Sequence, residues 1–233
     1  MKRQNSHKFY INKKQRSLYN RKRRGNEDED EDEDYDYDYD DDSLDCFYNR
    51  NKVKCVGNKI FFRSKVNDSS IDSLIQTINN KNNELLDIES ELLVKSVKPN
   101  PLYLFITSEG GDLLAGFRAV DAISRSRIPI YTVVDGYAAS AATLMSVVGK
   151  KRYITEHSYM LIHQLSGETY GKFWEIKDDF KNSKSFINHM YKIYQDHTNM
   201  EEEELKNIMS HDIWWDSTKC IDKGLVDLIY TDT

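Results

Sequence analysis

Ser140, His163 and Asp212 are the residues of this chain whose types combine into a hydrolytic relay. Serine attack on an acyl carbon needs a hydroxyl, a base to take its proton, a carboxylate to fix the base's tautomer, and donors for the oxyanion. Ser140 lies in the run Ala138-Ala139-Ser140-Ala141-Ala142, where a hydroxyl among methyl groups begins a helix. There the helix dipole and unpaired N–H groups favour developing negative charge. Gly110-Gly111 forms a second junction of small residues, at which the backbone can approach a ligand with no Cβ between. Each piece also has an ordinary reading. A serine at a helix start is commonly an N-cap, a Gly-Gly pair a simple turn, His163 a satisfied core histidine, and Asp212 a cap for the segment leading to Trp214.

The other histidines compete poorly for the base. His157 sits in a polar turn, His189 lies on a long helix, His197 ends it where a cation is welcome, His211 adjoins Asp212, and His7 belongs to the N-terminal stretch. No His, Cys or Asp grouping has metal-ligand spacing.

The elements that must position these groups follow from apolar patterning. Ile60-Phe61-Phe62 reads as a short strand, and Asp68 or Ser69 caps a helix with Ile71, Leu74, Ile75 and Ile78 on one face. A polar stretch, 79–83, leads into an apolar segment reaching Val97 that continues or restarts the helix. Leu102 to Ile106 reads as a strand covered on both faces. It is followed by the Gly110-Gly111 turn and a helix with Leu113, Leu114, Phe117, Val120 and Ile123 inward. Ile130 to Val134 is the next strand, turned by Asp135-Gly136 into the serine segment and a helix carrying Leu144, Met145, Val147 and Val148. Tyr159 to Ile162 is a third strand. A helix from about Lys172 to His197, a short acidic helix near Met200 and a small strand over 224–229 complete the chain. Strand, glycine turn and helix in alternation predict an α/β fold with a mostly parallel sheet and right-handed crossovers.

Charge divides the chain. Residues 1–24 hold ten Lys or Arg and no acid; residues 27–45 hold fourteen Asp or Glu and no base. Such blocks repel themselves and offer few apolar groups, so residues 1–45 are expected to be a disordered tail and residues 46–233 the folded domain. Arg21-Lys22-Arg23-Arg24 reads either as an address or weak anion-binding arm or as a solvated tail. The tail carries −4 of the total −6, leaving the domain nearly neutral, which argues against nucleic acid as its main ligand. Three cysteines without a CxxC pair fit a reducing compartment. With no apolar region behind the basic N-terminus and no run of about 20 apolar residues, a soluble cytoplasmic protein that does not engage the membrane is expected.

The motifs Thr107-Ser108-Glu109-Gly110-Gly111, Gly136-Tyr137-Ala138-Ala139-Ser140-Ala141-Ala142, Tyr159-Met160-Leu161-Ile162-His163-Gln164 and Gly224-Leu225-Val226-Asp227 closely resemble, in order, those of the Clp protease proteolytic subunit family. The likeness covers roughly residues 58–230. It implies the fold shared by Clp peptidases and crotonases, a sheet of ββα and βαβ units with a projecting handle helix. It also implies Ser140 as nucleophile, His163 as general base, Asp212 as orienting carboxylate, and the N–H groups of Gly111 and Ala141 as oxyanion hole. The same resemblance implies a serine endopeptidase acting on unfolded polypeptides, self-associating into stacked rings through the 172–197 helix. It makes 167–171 a strand that lies against substrate, and puts Phe105 in a pocket for an AAA+ unfoldase. No cofactor is expected in this chain: ATP would be used by the separate unfoldase, since no GxxxxGK[ST] loop occurs.

Departures from the pattern are Thr107 and Glu109 for Asn and Pro in the glycine loop, Leu165 for a Pro, Ala141 for a larger residue and Asn199 for a Gly. They keep a rival reading open, a non-catalytic ring or scaffold subunit. A crotonase-like acyl-CoA enzyme is a third, less favoured because such enzymes need no serine nucleophile.

Overall fold

The computed structural model describes residues 53–91 and 100–231; the side chains of residues 85–91 are not described. The expected tail, 1–45, and the end of the apolar segment at Val97 lie outside the described residues.

β1 (Val53–Val56) and β2 (Lys59–Phe62) form an antiparallel hairpin through Gly57. α1 (Asp68–Glu91) follows. β3 (Leu102–Ser108), α2 (Leu113–Ser124), β4 (Ile130–Ala139) and α3 (Ala141–Val147) make two successive strand–helix units. β5 (Lys151–Ile154) and β6 (Tyr159–Leu161) precede the long helix α4 (Phe173–His197), and α5 (Glu202–Met209), β7 (Trp214–Asp216), α6 (Ser217–Asp222) and β8 (Leu228–Ile229) close the chain. The sheet runs β1-β2-β3-β4-β5-β8, parallel from β2 onward, and β6 pairs with β4 in parallel and with β7 antiparallel. The α/β, mostly parallel architecture expected from the sequence is the one observed, with α4 as the projecting helix.

The cap of α1 is Asn67, not Asp68 or Ser69. Asn67 Oδ1 accepts from the Ser70 N–H at 2.9 Å, while Ser70 Oγ accepts from the Asn67 N–H at 3.1 Å, a reciprocal cap. Ile71, Leu74 and Ile78 are buried as expected, and the polar stretch after them stays helical.

Asp135-Gly136 is not a turn. β4 runs through it, with Gly136 at φ 87° and the β3–β4 register shifting between Ile106 and Ser108. The bend divides β4 between two partners: residues 131–134 pair with β5 and residues 137–139 with β6. Ser158 Oγ accepts from the Gly136 N–H at 2.7 Å and holds the bend. The strand over 224–229 shrinks to Leu228–Ile229.

The inward face of α2 also differs from its apolar periodicity. Leu113, Gly116, Ala119 and Ile123 are buried, Phe117 and Val120 are only partly buried, and Leu114 is exposed. Close packing on α3 selects small residues: a β-carbon on Gly116 would stand 3.2 Å from Ala141 Cβ. Leu114 is thereby rotated outward.

Candidate active site

Ser140 ends the bent half of β4. Its N–H donates to Leu161 O at 2.8 Å, and its carbonyl accepts from the N–H and Oγ1 of Thr143 at 2.9 and 2.6 Å. These bonds hold it at φ 60°, ψ −129°, the only non-glycine positive φ among the described residues. Such a backbone costs about 1–3 kcal/mol and persists only where the surroundings over-determine it. The N-cap reading of Ser140 fails, because the side chain makes no capping bond. Its Oγ is instead buried with no hydrogen-bond partner among the described residues, a condition that calls for a specific reason in a folded protein.

The β4–β6 register pairs Ala139 with Leu161, so the chain leaves both strands side by side at their C-terminal ends, with Ser140 on one and Ile162-His163 on the other. Reactive groups collect at that end of α/β sheets. His163 is buried, and the Gln164 N–H donates to Met209 O at 2.8 Å, tying the strand exit to the end of α5. From there the chain passes Asp212, whose Oδ1 stands 3.9 Å from His163 Nδ1. Asp212 is largely exposed, so the pair is open on the carboxylate side. Ser140 Oγ is not hydrogen-bonded to His163 in this structure. Burial pushes the imidazole below its ordinary 6.5, outweighing the Asp212 charge and the Gln164 carbonyl, which favour the protonated form. The shift favours the neutral ring, the form able to accept a proton.

The glycine loop is held against this turn by Val66. The Val66 N–H donates to Gly110 O and the Asp112 N–H donates to Val66 O, both at 2.8 Å. In such a parallel bridge the N–H of the intervening residue, Gly111, points away from Val66. Gly111 sits at φ 150°, and a β-carbon there would collide with the Val66 carbonyl. Gly110, at φ 86°, lies against the serine: a β-carbon on it would stand 2.7 Å from Ser140 Cβ and 3.0 Å from Ala141 N. Ala141 opens α3, where an N–H has no intrahelical partner. Two backbone N–H groups without a partner among the described residues thus flank the serine turn.

Tyr194 is a further residue of the site that spacing could not reveal. It is buried on α4, and its hydroxyl lies 2.6 Å from Thr143 Oγ1, which bonds Ser140 O. The one signal for it along the chain is the helical spacing of Met190, Ile193 and Tyr194, which marks an inward face. His157 is exposed, and His189 packs edge-on against Phe117 at 4.7 Å. The cation at the end of α4 is Arg152, which donates to His197 O, not the His197 imidazole. Partial burial and the Arg152 charge push that ring below its usual pKa.

Residues 162–170 form no strand, so the segment expected to lie against substrate is irregular. Phe105 is buried, stacked on Phe61 at 5.0 Å and edge-on to Tyr230 at 5.2 Å.

A parallel α/β sheet with a strained serine, a histidine–aspartate pair and a glycine loop at one end has the outline of a hydrolase. Residues 58–233 match the family model described as Clp protease, and the chain belongs to that family. It is 29% identical over 181 residues to the ATP-dependent Clp protease proteolytic subunit 2 of Treponema denticola, covering 72% of this chain and 90% of that protein. It is 26% identical to the ATP-dependent Clp protease proteolytic subunit of Cyanophora paradoxa, over 77% of this chain and 88% of that one. Subunit 1 of Chlamydia caviae is 27% identical, over 72% and 84%.

Proposed function

We propose that the chain is a serine-type endopeptidase subunit that cleaves unfolded polypeptide, with Ser140, His163 and Asp212 as its triad. The observation that supports this reading is the buried Ser140 Oγ, unpartnered among the described residues, on a strained backbone beside the glycine loop, with the His163–Asp212 pair at the exit of the neighbouring strand. His163 takes the Ser140 proton as Oγ attacks the peptide carbonyl. The negative charge passes to the carbonyl oxygen, which the N–H groups of Gly111 and Ala141 receive, at about 2.7–4 kcal/mol per donor. The protonated imidazole, held in its tautomer by Asp212, then donates to the leaving amine as the C–N bond breaks. Water, deprotonated by the same ring, cleaves the acyl-enzyme and returns the proton to Ser140.

In this reading the Ser140–His163 hydrogen bond closes on assembly or substrate binding, as catalytic contacts tighten from the free form. Assembly is into stacked rings through α4, whose Phe173, Trp174 and Phe180 are strongly exposed. Residues 167–171 take up strand pairing with an extended substrate. A separate AAA+ unfoldase spends ATP and delivers substrate, no cofactor resides in this chain, and the subunit works in the cytoplasm. The test is a fluorophosphonate probe on the assembled protein. Labelling that Ser140→Ala removes supports the reading, and an intact chain that never labels beside a reactive relative retires it.

A second reading, a non-catalytic ring subunit, is favoured by one observation: Ser140 Oγ makes no bond to His163, and the Asp212 contact is long. Peptide cleavage by the assembled particle that is unchanged by Ser140→Ala would select it.

A further inference from the structure

A cavity of about 450 Å³ opens between α1 and the last turn of α2, beside the loop that enters β4. It lies at the opposite end of β4 from Ser140 and shares no residue with the candidate active site. Its size falls in the range of small-ligand pockets, about 300–1,000 Å³.

Asn82 sets its chemistry. The side chain is 6% exposed, and its Oδ1 accepts from the Ile128 N–H at 3.2 Å and from Ser126 Oγ at 3.1 Å. A backbone N–H can only donate, so the amide orientation is determined: oxygen toward the loop, Nδ2 away from it. Nδ2 has no hydrogen-bond partner among the described residues and is not sealed from solvent. Asn82 lines the cavity, and this NH₂ is the polar group of its side chain left for a ligand there. The side chains of Asn79 and Asn83 also line the space without hydrogen-bond partners among the described residues.

The charged groups favour an acceptor ligand. Arg125 stands 3.6 Å from Asp121 in an exposed pair, worth about 0–1 kcal/mol. Arg127 makes no ion pair among the described residues. The lining carries +1 net, with two planar guanidinium forks suited to bidentate contact with phosphate or carboxylate oxygens. The C-terminal end of α2 adds a partial negative charge of about half a unit, which the net +1 of the lining exceeds.

We propose that this cavity binds a small polyanion bearing phosphate or carboxylate oxygens, gripped by Arg125 and Arg127 with the Asn82 amide on its floor. Titration of the full-length protein with pyrophosphate and with citrate, followed by calorimetry, separates the two oxyanion sources. Saturable binding of either below about 1 mM, weakened at least about tenfold by Arg125→Ala/Arg127→Ala, is the expected result. Asn83→Asp, which adds a negative charge on an exposed helix position, weakens it similarly and serves should the double variant fail to fold. Ser140→Ala leaves binding unchanged, so the outcome is independent of the proposed peptidase activity. The proposal is overturned if neither anion binds at millimolar concentration, or if binding survives both sets of substitutions.

Discussion

Gly110 and Ser140 approach so closely that no side chain fits between them: a β-carbon on Gly110 would stand 2.7 Å from Ser140 Cβ and 2.5 Å from Ala139 O. Gly110 also holds φ 86°, which side-chain-bearing residues rarely adopt. Gly110→Ala must therefore displace the glycine loop from the serine turn. The expected outcome is at least about a 100-fold loss of peptide hydrolysis, the scale of a misplaced catalytic geometry, with a lowered Tm. Wild-type turnover in this variant would show that the loop plays no part in the reaction.

The pH dependence follows from His163. Burial lowers its pKa below 6.5 against the raising effects of Asp212 and the Gln164 carbonyl. The base form thus persists below pH 6.5, and the acidic limb of kcat/KM is expected below that value. Asp212→Asn removes a raising charge, moves the limb further to acid and lowers kcat by about 10²–10⁴-fold. A limb above 6.5 would contradict this assignment. Stability carries the same sign: as pH falls from 6.5 to the depressed value, the unfolded chain binds the proton and the folded one does not, so stability is lost across that window.

Tyr194→Phe tests the link from α4 to the serine. The hydroxyl meets Thr143 Oγ1, which supports Ser140 O. Its loss is expected to cost about 1 kcal/mol in chemical denaturation. Because Thr143 stays in place, kcat should fall several-fold while KM holds. An unchanged kcat with the same stability loss would make Tyr194 structural only.

The exposed apolar half of α4 gives a prediction about assembly. Phe180 is 70% exposed and Trp174 65%, both before the buried Met190, Ile193 and Tyr194. Phe180→Glu is expected to leave the fold intact and halve the particle mass in sedimentation velocity. A particle of unchanged size would assign α4 another role.

Much of this was legible along the chain. The apolar runs of β3 and β4, the glycine junction, the Ala-Ala-Ser turn and the long helix all declare themselves in local periodicity. What eluded such reading lies in elements whose residues look ordinary. β1 and β5 are four-residue segments, Val-Lys-Cys-Val and Lys-Arg-Tyr-Ile, too short to show a period of their own, and they become strands by pairing with β2 and β4. β4 continues through Asp135-Gly136 because Ser158, 22 residues on, binds the Gly136 N–H.

Residue type and order alone nominated a serine, a histidine and an aspartate, and a class of chemistry to join them, because each stands at a boundary that backbone propensity marks. Tertiary structure alone decided that Gly110 abuts the Ser140 turn, that Val66 turns the Gly111 N–H outward and that Asp212 meets His163. Those contacts join segments tens of residues apart, and such closures are set by how sheet and helices pack, which no local pattern encodes.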